Sequence, residues 1–356
     1  MVHKDIKTLK EGILFGMGNP LLDILSHADQ EFLDKYKLEK DNAILAEEFH
    51  LPLYDELFQR RDTEYAPGGS TQNSFKITQW ILEVPHLTTF MGCIGNDKYG
   101  EIMKRKMNFY GINTLYQVQN DISTGTCAVL VDKDKRSLCA HLGAAKNFSK
   151  NFLNENLKVM HHAEYFYISG FFLAVCPTSI LQVAQHALQH NKLFMMNLSA
   201  KYLCECYKEP MMMAFPYIDI LFGNESEVRS FAVEHHILEE DLKTVALKIS
   251  QFPKKNNNRS RLVIVTRDMN PTILASDNIL EEYPVYPIDQ KNIVDTNGAG
   301  DAFVGGYLSQ LIQGKGYEEC LDYAHKAAYI IIHRSGCTFP ENMKFDDALD
   351  QIKRSE

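Results

Sequence analysis

Basic surplus, long apolar runs and paired cysteines are all scarce in this sequence, and each shortage closes off a class of function. The 37 Lys and Arg are outnumbered by 46 Asp and Glu, leaving a formal net charge of -9. A chain with that balance has no field to hold a phosphate backbone or anionic lipid, so neither nucleic acid nor a membrane surface is an expected partner. The opening MVHKDIKTLKEG is polar, without the apolar core of a secretory leader, and no later stretch approaches the ~20 apolar residues of a membrane span. A location inside the cell is expected, the cytoplasm first and the nucleus as the alternative. The 8 cysteines (93, 127, 139, 176, 204, 206, 320, 337) include no C-x-x-C pair. Neither a zinc site nor a disulfide framework is indicated, and they read as reduced thiols. Cys204 and Cys206 alone make a poor metal site, with no further Cys or His at ligand spacing. There is no internal repeat or low-complexity tract.

Two common nucleotide motifs are missing as well. GMGNPLLD (16–23) follows a strand-like run, but Leu21 stands where G-x-G-x-x-G needs its third glycine, which disfavours dinucleotide binding. The lone Gly-Lys pair, Gly314 and Lys315, is followed by glycine and has Ser309 at the first loop position, so no Walker A loop exists.

The chain does have 356 residues at 45% hydrophobic content, enough for a large core. Short β-rich runs alternate with helix-period segments. A buried strand lies within AEYFYISGFFLAV (163–175). Pro177, Thr178 and Ser179 then start a helix on which Ile180, Leu181, Ala184, Ala187 and Leu188 share a face. KLFMMNLS (192–199), IDILFGN (218–224) and RLVIVTR (261–267) are further strands ending in polar residues. This predicts a mostly parallel sheet covered by helices, with ligands at the carboxyl ends of its strands. Two stretches, about 23–69 and 122–144, read instead as hairpins, as in TGTCAVLVDKDKRSLCAHL around a polar turn at 132–135. Each leaves and re-enters the α/β part. The expected organisation is therefore a large α/β domain from 1–22, 70–121 and 145–356, with a small discontinuous lid from 23–69 and 122–144.

One glycine motif survives. DTNGAGDAFVGG (295–306) follows the run KNIVD and precedes a helix carrying Ala302, Phe303, Gly306, Leu308 and Leu311. Unpaired amides at such a helix start, from Gly298, Ala299 and Gly300, sit at the positive end of the helix dipole and suit a phosphoryl group. Asp301 beside them stands where a base must be to deprotonate an attacking hydroxyl. An acid at a helix start also serves simply to complement the dipole, and this motif alone leaves both roles open.

GGSTQN (68–73), FGNESE (222–227) and NGAGD, taken together and in that order, resemble the ribokinase-like carbohydrate and nucleoside kinases. FGMGNPLLD, FMGCIGNDKYGE, GTCAVL, ISGFFLAV, NLSA and GCTFP extend the resemblance, over about 12–340, to the members of that family that take adenosine. The resemblance implies a ribokinase-like three-layer α/β/α large domain with a mostly parallel sheet and a small discontinuous α+β lid. It implies ATP- and Mg2+-dependent phosphorylation of the 5′-hydroxyl of adenosine to AMP, a purine-salvage reaction, with Asp301 as base and no phosphoenzyme. A monomer is the expected form.

The same resemblance distributes roles over this chain. Asn19, Asp23, Gly68, Gly69, Ser70 and Asn73 would hold the ribose, with Asp23 accepting from both sugar hydroxyls. Leu45, Cys127, Leu138, Ala140, Phe171 and Tyr202 would surround the adenine, although Leu138 and Ala140 taken singly are ordinary alternating strand residues. Arg136, in DKDKRSL, would reach the transferring phosphoryl group on lid closure. Asn224 and Glu227 match an N-x-x-E element that organises magnesium and its waters. Thr266, Asn297 and His325 match nucleotide contacts. Two positions depart from the family pattern: Thr266-Arg267-Asp268 replaces a T-x-G, and Ala43 stands where glutamine is frequent. The first puts the phosphate-side contacts of that loop in question. The rival readings are a kinase for another nucleoside or a sugar, and a binding protein that has lost turnover. Retention of Asp301 and its glycines speaks against the second.

Overall fold

The structure, a computed structural model, describes residues 9–40, 42–132 and 135–355, with the side chains of 43, 135, 136 and 355 outside that description. Runs rich in β-branched and aromatic residues become the strands β1 (Leu14–Met17), β2 (Leu21–His27), β3 (Asn42–Leu45), β4 (Glu64–Gly68), β5 (Thr88–Gly95), β6 (Asn113–Gln119), β7 (Thr126–Asp132) and β8 (Lys135–His141). They continue as β9 (Tyr165–Ser169), β10 (Leu193–Asn197), β11 (Ile220–Asn224), β12 (Leu262–Arg267), β13 (Asn270–Ser276) and β14 (Ile279–Tyr283).

A 9-stranded sheet runs in the order β14-β13-β12-β11-β10-β9-β1-β5-β6. Its pairings are parallel from β12 through β6, while β13 and β14 add an antiparallel edge. β1, β5 and β9 are buried along their whole length. Adjacent residues of these strands enter different cores, as alternation across a pleat requires. Phe15, Phe166, Phe194, Leu221 and Val263 belong to one apolar cluster, and Leu14, Tyr165, Met195, Ile220 and Ile264 to the other. Helices therefore cover both faces, giving three layers. The helix predicted after Cys176 spans Pro177–Gln189 and buries Ile180, Ala184 and Ala187.

The glycine pair in AFVGG lets three helices meet closely. A Cβ on Gly305 would come within 2.6 Å of Ser74 O, and one on Gly306 within 2.3 Å of Tyr323 O. The helix Ala299–Leu311 thus packs directly on Ser70–Leu82 and on Tyr317–Ile332.

A second, 5-stranded sheet has the order β3-β8-β7-β2-β4. Residues 122–144 form the expected hairpin, β7 against β8. Residues 23–69 do not. β2 and β4 pair antiparallel but are separated in sequence by the helices Gln30–Lys35 and Leu51–Gln59, and β3 is delivered to the far edge beside β8. The reason is local: Asp29 caps the first helix through Phe32 N at 2.9 Å, so the chain turns into a helix where a hairpin would need a tight turn. One face of this sheet is filled by Ile24, Ala128 and Cys139 against Leu53, Tyr54 and Leu57.

Candidate active site

Gly69 starts the site. With φ of 94° it adopts a conformation that side chains disfavour, and a Cβ there would lie 2.1 Å from Asn19 O. That turn launches the helix Ser70–Leu82, whose first residues face the start of the helix Ala299–Leu311. Ser70 Oγ donates to Asp301 Oδ1 at 2.6 Å, and Asn73 Nδ2 donates to Asp301 Oδ2 at 3.0 Å. Both oxygens of the half-buried carboxylate are thereby oriented. Burial raises the Asp301 pKa above the ordinary carboxylate range, against the two hydrogen bonds and the Lys76 charge, which lower it.

Gly298 caps the helix with φ of 83° and packs so tightly that a Cβ would approach Cys337 Cβ to 2.6 Å. Gly300 differs: beyond its own helix backbone, no atom lies within 4 Å of where its Cβ would be. Open space therefore lies over the first turn of this helix, where backbone amides lack partners within the helix. Ala299 N donates to Thr296 O at 3.2 Å, so its amide is engaged in the preceding turn. Asp295 braces the motif from behind, accepting from Asn297 N at 2.9 Å and Gly336 N at 2.8 Å.

The 5-stranded sheet supplies the second wall. Its registers align Leu45, Ala140, Cys127 and Asp23 in one row across β3, β8, β7 and β2, with Leu138 and Val129 one row on along the same face. This is the face opposite the filled one. Four residues singled out separately in the sequence thus form a continuous surface. The side chain of Asp23 lies over Gly68, where a Cβ would meet Asp23 Oδ2 at 2.5 Å. Burial pushes the Asp23 carboxyl up to about 7, with Lys76 opposing and the charges of Asp301 and Asp295 adding. Asn19 Nδ2 donates to the Phe171 carbonyl at 3.4 Å. The Oδ1 atoms of Asn19 and Asn73 are buried without a hydrogen-bond partner among the described residues, a state that favours a polar ligand beside them. Phe171 is half-buried, in the turn after β9. Tyr202 is 48% exposed and packs edge-on against Tyr207. Leu45, at the sheet edge, is 65% exposed. Arg136, on β8, pairs through its backbone with Val131 on β7, and its side chain lies outside the described residues, as does that of Ala43.

Asn224 and Thr266 are register partners at the carboxyl ends of β11 and β12. Asn224 and Glu227 form a reciprocal cap: Asn224 Oδ1 accepts from Glu227 N at 2.9 Å, and Glu227 Oε2 accepts from Asn224 N at 3.0 Å. Asn224 Nδ2 donates to Glu227 Oε1 at 2.8 Å, so both carboxylate oxygens are engaged. Burial raises the Glu227 pKa. Asn297 is exposed on the loop before Gly298. His325 is no surface histidine: it is buried, 2.9 Å from Thr272 Oγ1, and burial pulls its pKa down to about 4. It lines a cavity of about 310 Å3 with Val285, Pro287, Leu321 and Asp322.

The departure at Thr266-Arg267-Asp268 has a structural account. Asp268 takes φ of 50°, the left-handed region for which a glycine is ordinarily used and which Asp tolerates better than most residues. Arg267 is drawn away to Pro271 O and Glu282, both at 2.6 Å.

Three residues went unnoticed in the sequence: Lys76, Asp295 and Cys337. Lys76 donates to the carbonyls of Pro67 and Cys337 and is only 2% exposed. Nothing in STQNSFKITQW marks that lysine as buried, whereas Asp295 lay within the quoted DTNGAGD and could have been read as its brace.

The whole arrangement has known counterparts. Residues 39–343 match the model of the pfkB family carbohydrate kinases. Adenosine kinase 1 of Arabidopsis thaliana is 47% identical over 338 residues, covering 94% of this chain and 98% of that protein. The Anopheles gambiae adenosine kinase, solved in complex with P1,P4-di(adenosine-5) tetraphosphate, superposes with a TM-score of 0.84 at 43% identity, covering 94% of this chain and 99% of the other. The Schistosoma mansoni adenosine kinase, solved with adenosine in an occluded loop conformation, gives 0.85 at 37% identity, covering 96% and 100%. With a half-buried, doubly oriented aspartate at a glycine-rich helix start and likeness along almost its whole length, the chain belongs to the pfkB family of carbohydrate kinases, on its adenosine kinase branch.

Proposed function

We propose that this chain transfers the terminal phosphoryl group of ATP to the 5′-hydroxyl of adenosine, giving AMP and ADP. The observation that carries the reading is the carboxylate of Asp301, held by Ser70 and Asn73 beside the open first turn at Gly300. A nucleoside lying along the Leu45–Ala140–Cys127–Asp23 row has an apolar strip for its base and a carboxylate for its sugar diol. Its 5′-hydroxyl then falls to Asp301, which takes the proton while the amides of the helix start, at Gly298 and Gly300, receive the charge of the phosphoryl oxygens. No residue becomes phosphorylated; positioning and electrostatics carry the reaction.

The nucleotide lies on the side of Asn224, Thr266 and Asn297, with the cavity at His325 suited to a flat heterocycle between Val285 and Leu321. Magnesium, when bound with ATP, spreads the charge of the phosphate oxygens. Glu227 fits it through water rather than directly, since both its oxygens are already used in the cap. Arg136, on the hairpin of the smaller sheet, is assigned to the phosphoryl group when that sheet, acting as a lid, closes. Among the described residues no helix is long and apolar enough to cross a membrane. A monomer in the cytoplasm or nucleus, acting on free nucleoside, completes the reading.

The test is ATP-coupled phosphorylation measured across adenosine, inosine, guanosine, ribose and fructose. Adenosine is expected to exceed each of the others in kcat/KM by a wide margin. Equal or better turnover of a bare sugar overturns the reading.

A further inference from the structure

The proposed reaction makes no use of Lys76, yet Lys76 is the charged side chain most fully buried at the site. It projects from the helix Ser70–Leu82, is 2% exposed, and forms no ion pair among the described residues. Its ammonium donates instead to two main-chain carbonyls, Pro67 O on β4 and Cys337 O at 3.1 Å. The first immediately precedes Gly68 and Gly69, under Asp23. The second belongs to the residue against which Gly298 is packed. One side chain therefore joins the two halves of the site. It is also a positive charge beside two acids, Asp23 and Asp301. Burying an unpaired ammonium is costly, and a structural tie between two carbonyls needs only a neutral donor.

We propose that Lys76 is a positioning residue for phosphoryl transfer: its buried ammonium clamps the Gly68–Gly69 turn to the segment behind Gly298 and supplies a counter-charge that favours the ionised forms of Asp23 and Asp301 in the empty site. This rests on the adenosine kinase reading above. The Lys76 charge lowers the pKa of both carboxyls against the effect of burial, while burial lowers the pKa of Lys76 itself, with the charges of Cys337, Asp23 and Asp301 opposing. The other groups facing this cluster are the Cys337 thiol and Lys106 around Lys76, Asp295 and the Cys127 thiol beside Asp23, and Tyr167 and Glu227 beside Asp301. Burial raises the Tyr167 and Cys337 pKa values, so neither provides a competing charge at neutral pH.

The experiment is the pH profile of kcat/KM for adenosine in wild type, Lys76→Gln and Lys76→Met, with circular dichroism and melting as checks of folding. Gln keeps a donor and drops the charge; Met drops both. In both variants the acidic limb is expected to move up by about one pH unit, the effect of losing a nearby opposite charge. At pH 7 kcat/KM then falls about fivefold and recovers in Gln as pH rises. A folded Lys76→Gln whose limb stays where wild type has it overturns the inference, even if its plateau is lower, because a purely structural loss would not shift the limb. If neither variant folds, 15N NMR of lysine-labelled wild type decides. A slowly exchanging Nζ ammonium signal that moves on adenosine binding should persist to pH 8, and its absence below pH 7 overturns the inference. A wild type that fails to phosphorylate adenosine overturns the functional reading and this inference with it; an active wild type with an unmoved limb overturns this inference alone.

Discussion

Two carboxylates with different surroundings are given different tasks. Asp301 accepts from Ser70 and Asn73, so Asp301→Asn keeps the shape and removes the base. Turnover is expected to fall about a hundredfold to ten-thousandfold, the usual worth of a general base, while adenosine still binds through Asn19, Asp23 and Phe171. Single-turnover phosphorylation beside calorimetric binding checks this, and turnover within about threefold of wild type would reduce Asp301 to a helix-start acid. Asp23, pushed up to about 7, carries a different prediction. The raised pKa means the carboxylate, the form that accepts from sugar hydroxyls, is lost as pH falls through that value. Adenosine affinity is expected to weaken about tenfold per pH unit below it and to level off above. Calorimetry from pH 5.5 to 8.5 reads the slope, and Asp23→Asn should flatten it. A flat wild-type profile would remove Asp23 from the sugar contacts. Lys76, by contrast, could not be read from its neighbours, because a lysine in a helix is ordinarily solvated; only the packing of β4 and the Cys337 segment around it makes it a buried charge.

At the scale of elements, the helix Ala299–Leu311 separates two uses of glycine that look alike in NGAGD. Gly298 is held in the left-handed region and pressed against Cys337, so Gly298→Ala should destabilise the protein by more than about 1 kcal/mol. Gly300 has open space around its Cβ position and lies in the first helical turn, so Gly300→Ala should leave stability within about 0.5 kcal/mol of wild type. If the phosphoryl oxygens occupy that space, the added methyl lowers turnover about tenfold or more all the same. Chemical denaturation and kcat, measured on the same two variants, check the pair; full activity in Gly300→Ala places the anion elsewhere. The strands with polar ends were legible because an apolar run between polar residues reports burial directly. The stretch 23–69 was misread as a hairpin because short apolar pieces there belong partly to helices, and periodicity over four or five residues cannot separate the two.

For the molecule as a whole, the smaller sheet contributes one covered face and one that carries the Asp23 row. In the proposed function that second face closes on the nucleoside and brings Arg136 with it. Arg136→Ala is therefore expected to lower kcat by about tenfold or more while leaving adenosine affinity nearly unchanged, since the charge matters mostly in the transition state. A raised KM with intact turnover overturns that role. The sequence by itself determined the family, the glycine-rich helix start, the aspartate at its head and the alternation of strands and helices that makes a mostly parallel sheet, because each is encoded in a contiguous motif or in local periodicity. Only the tertiary structure decided that Leu45, Ala140, Cys127 and Asp23 share a row, that His325 is buried at a cavity, and that Lys76 joins the two halves of the site. Those facts depend on strand register and helix packing between residues far apart in the chain, and no local pattern records which distant backbone will enclose a given side chain.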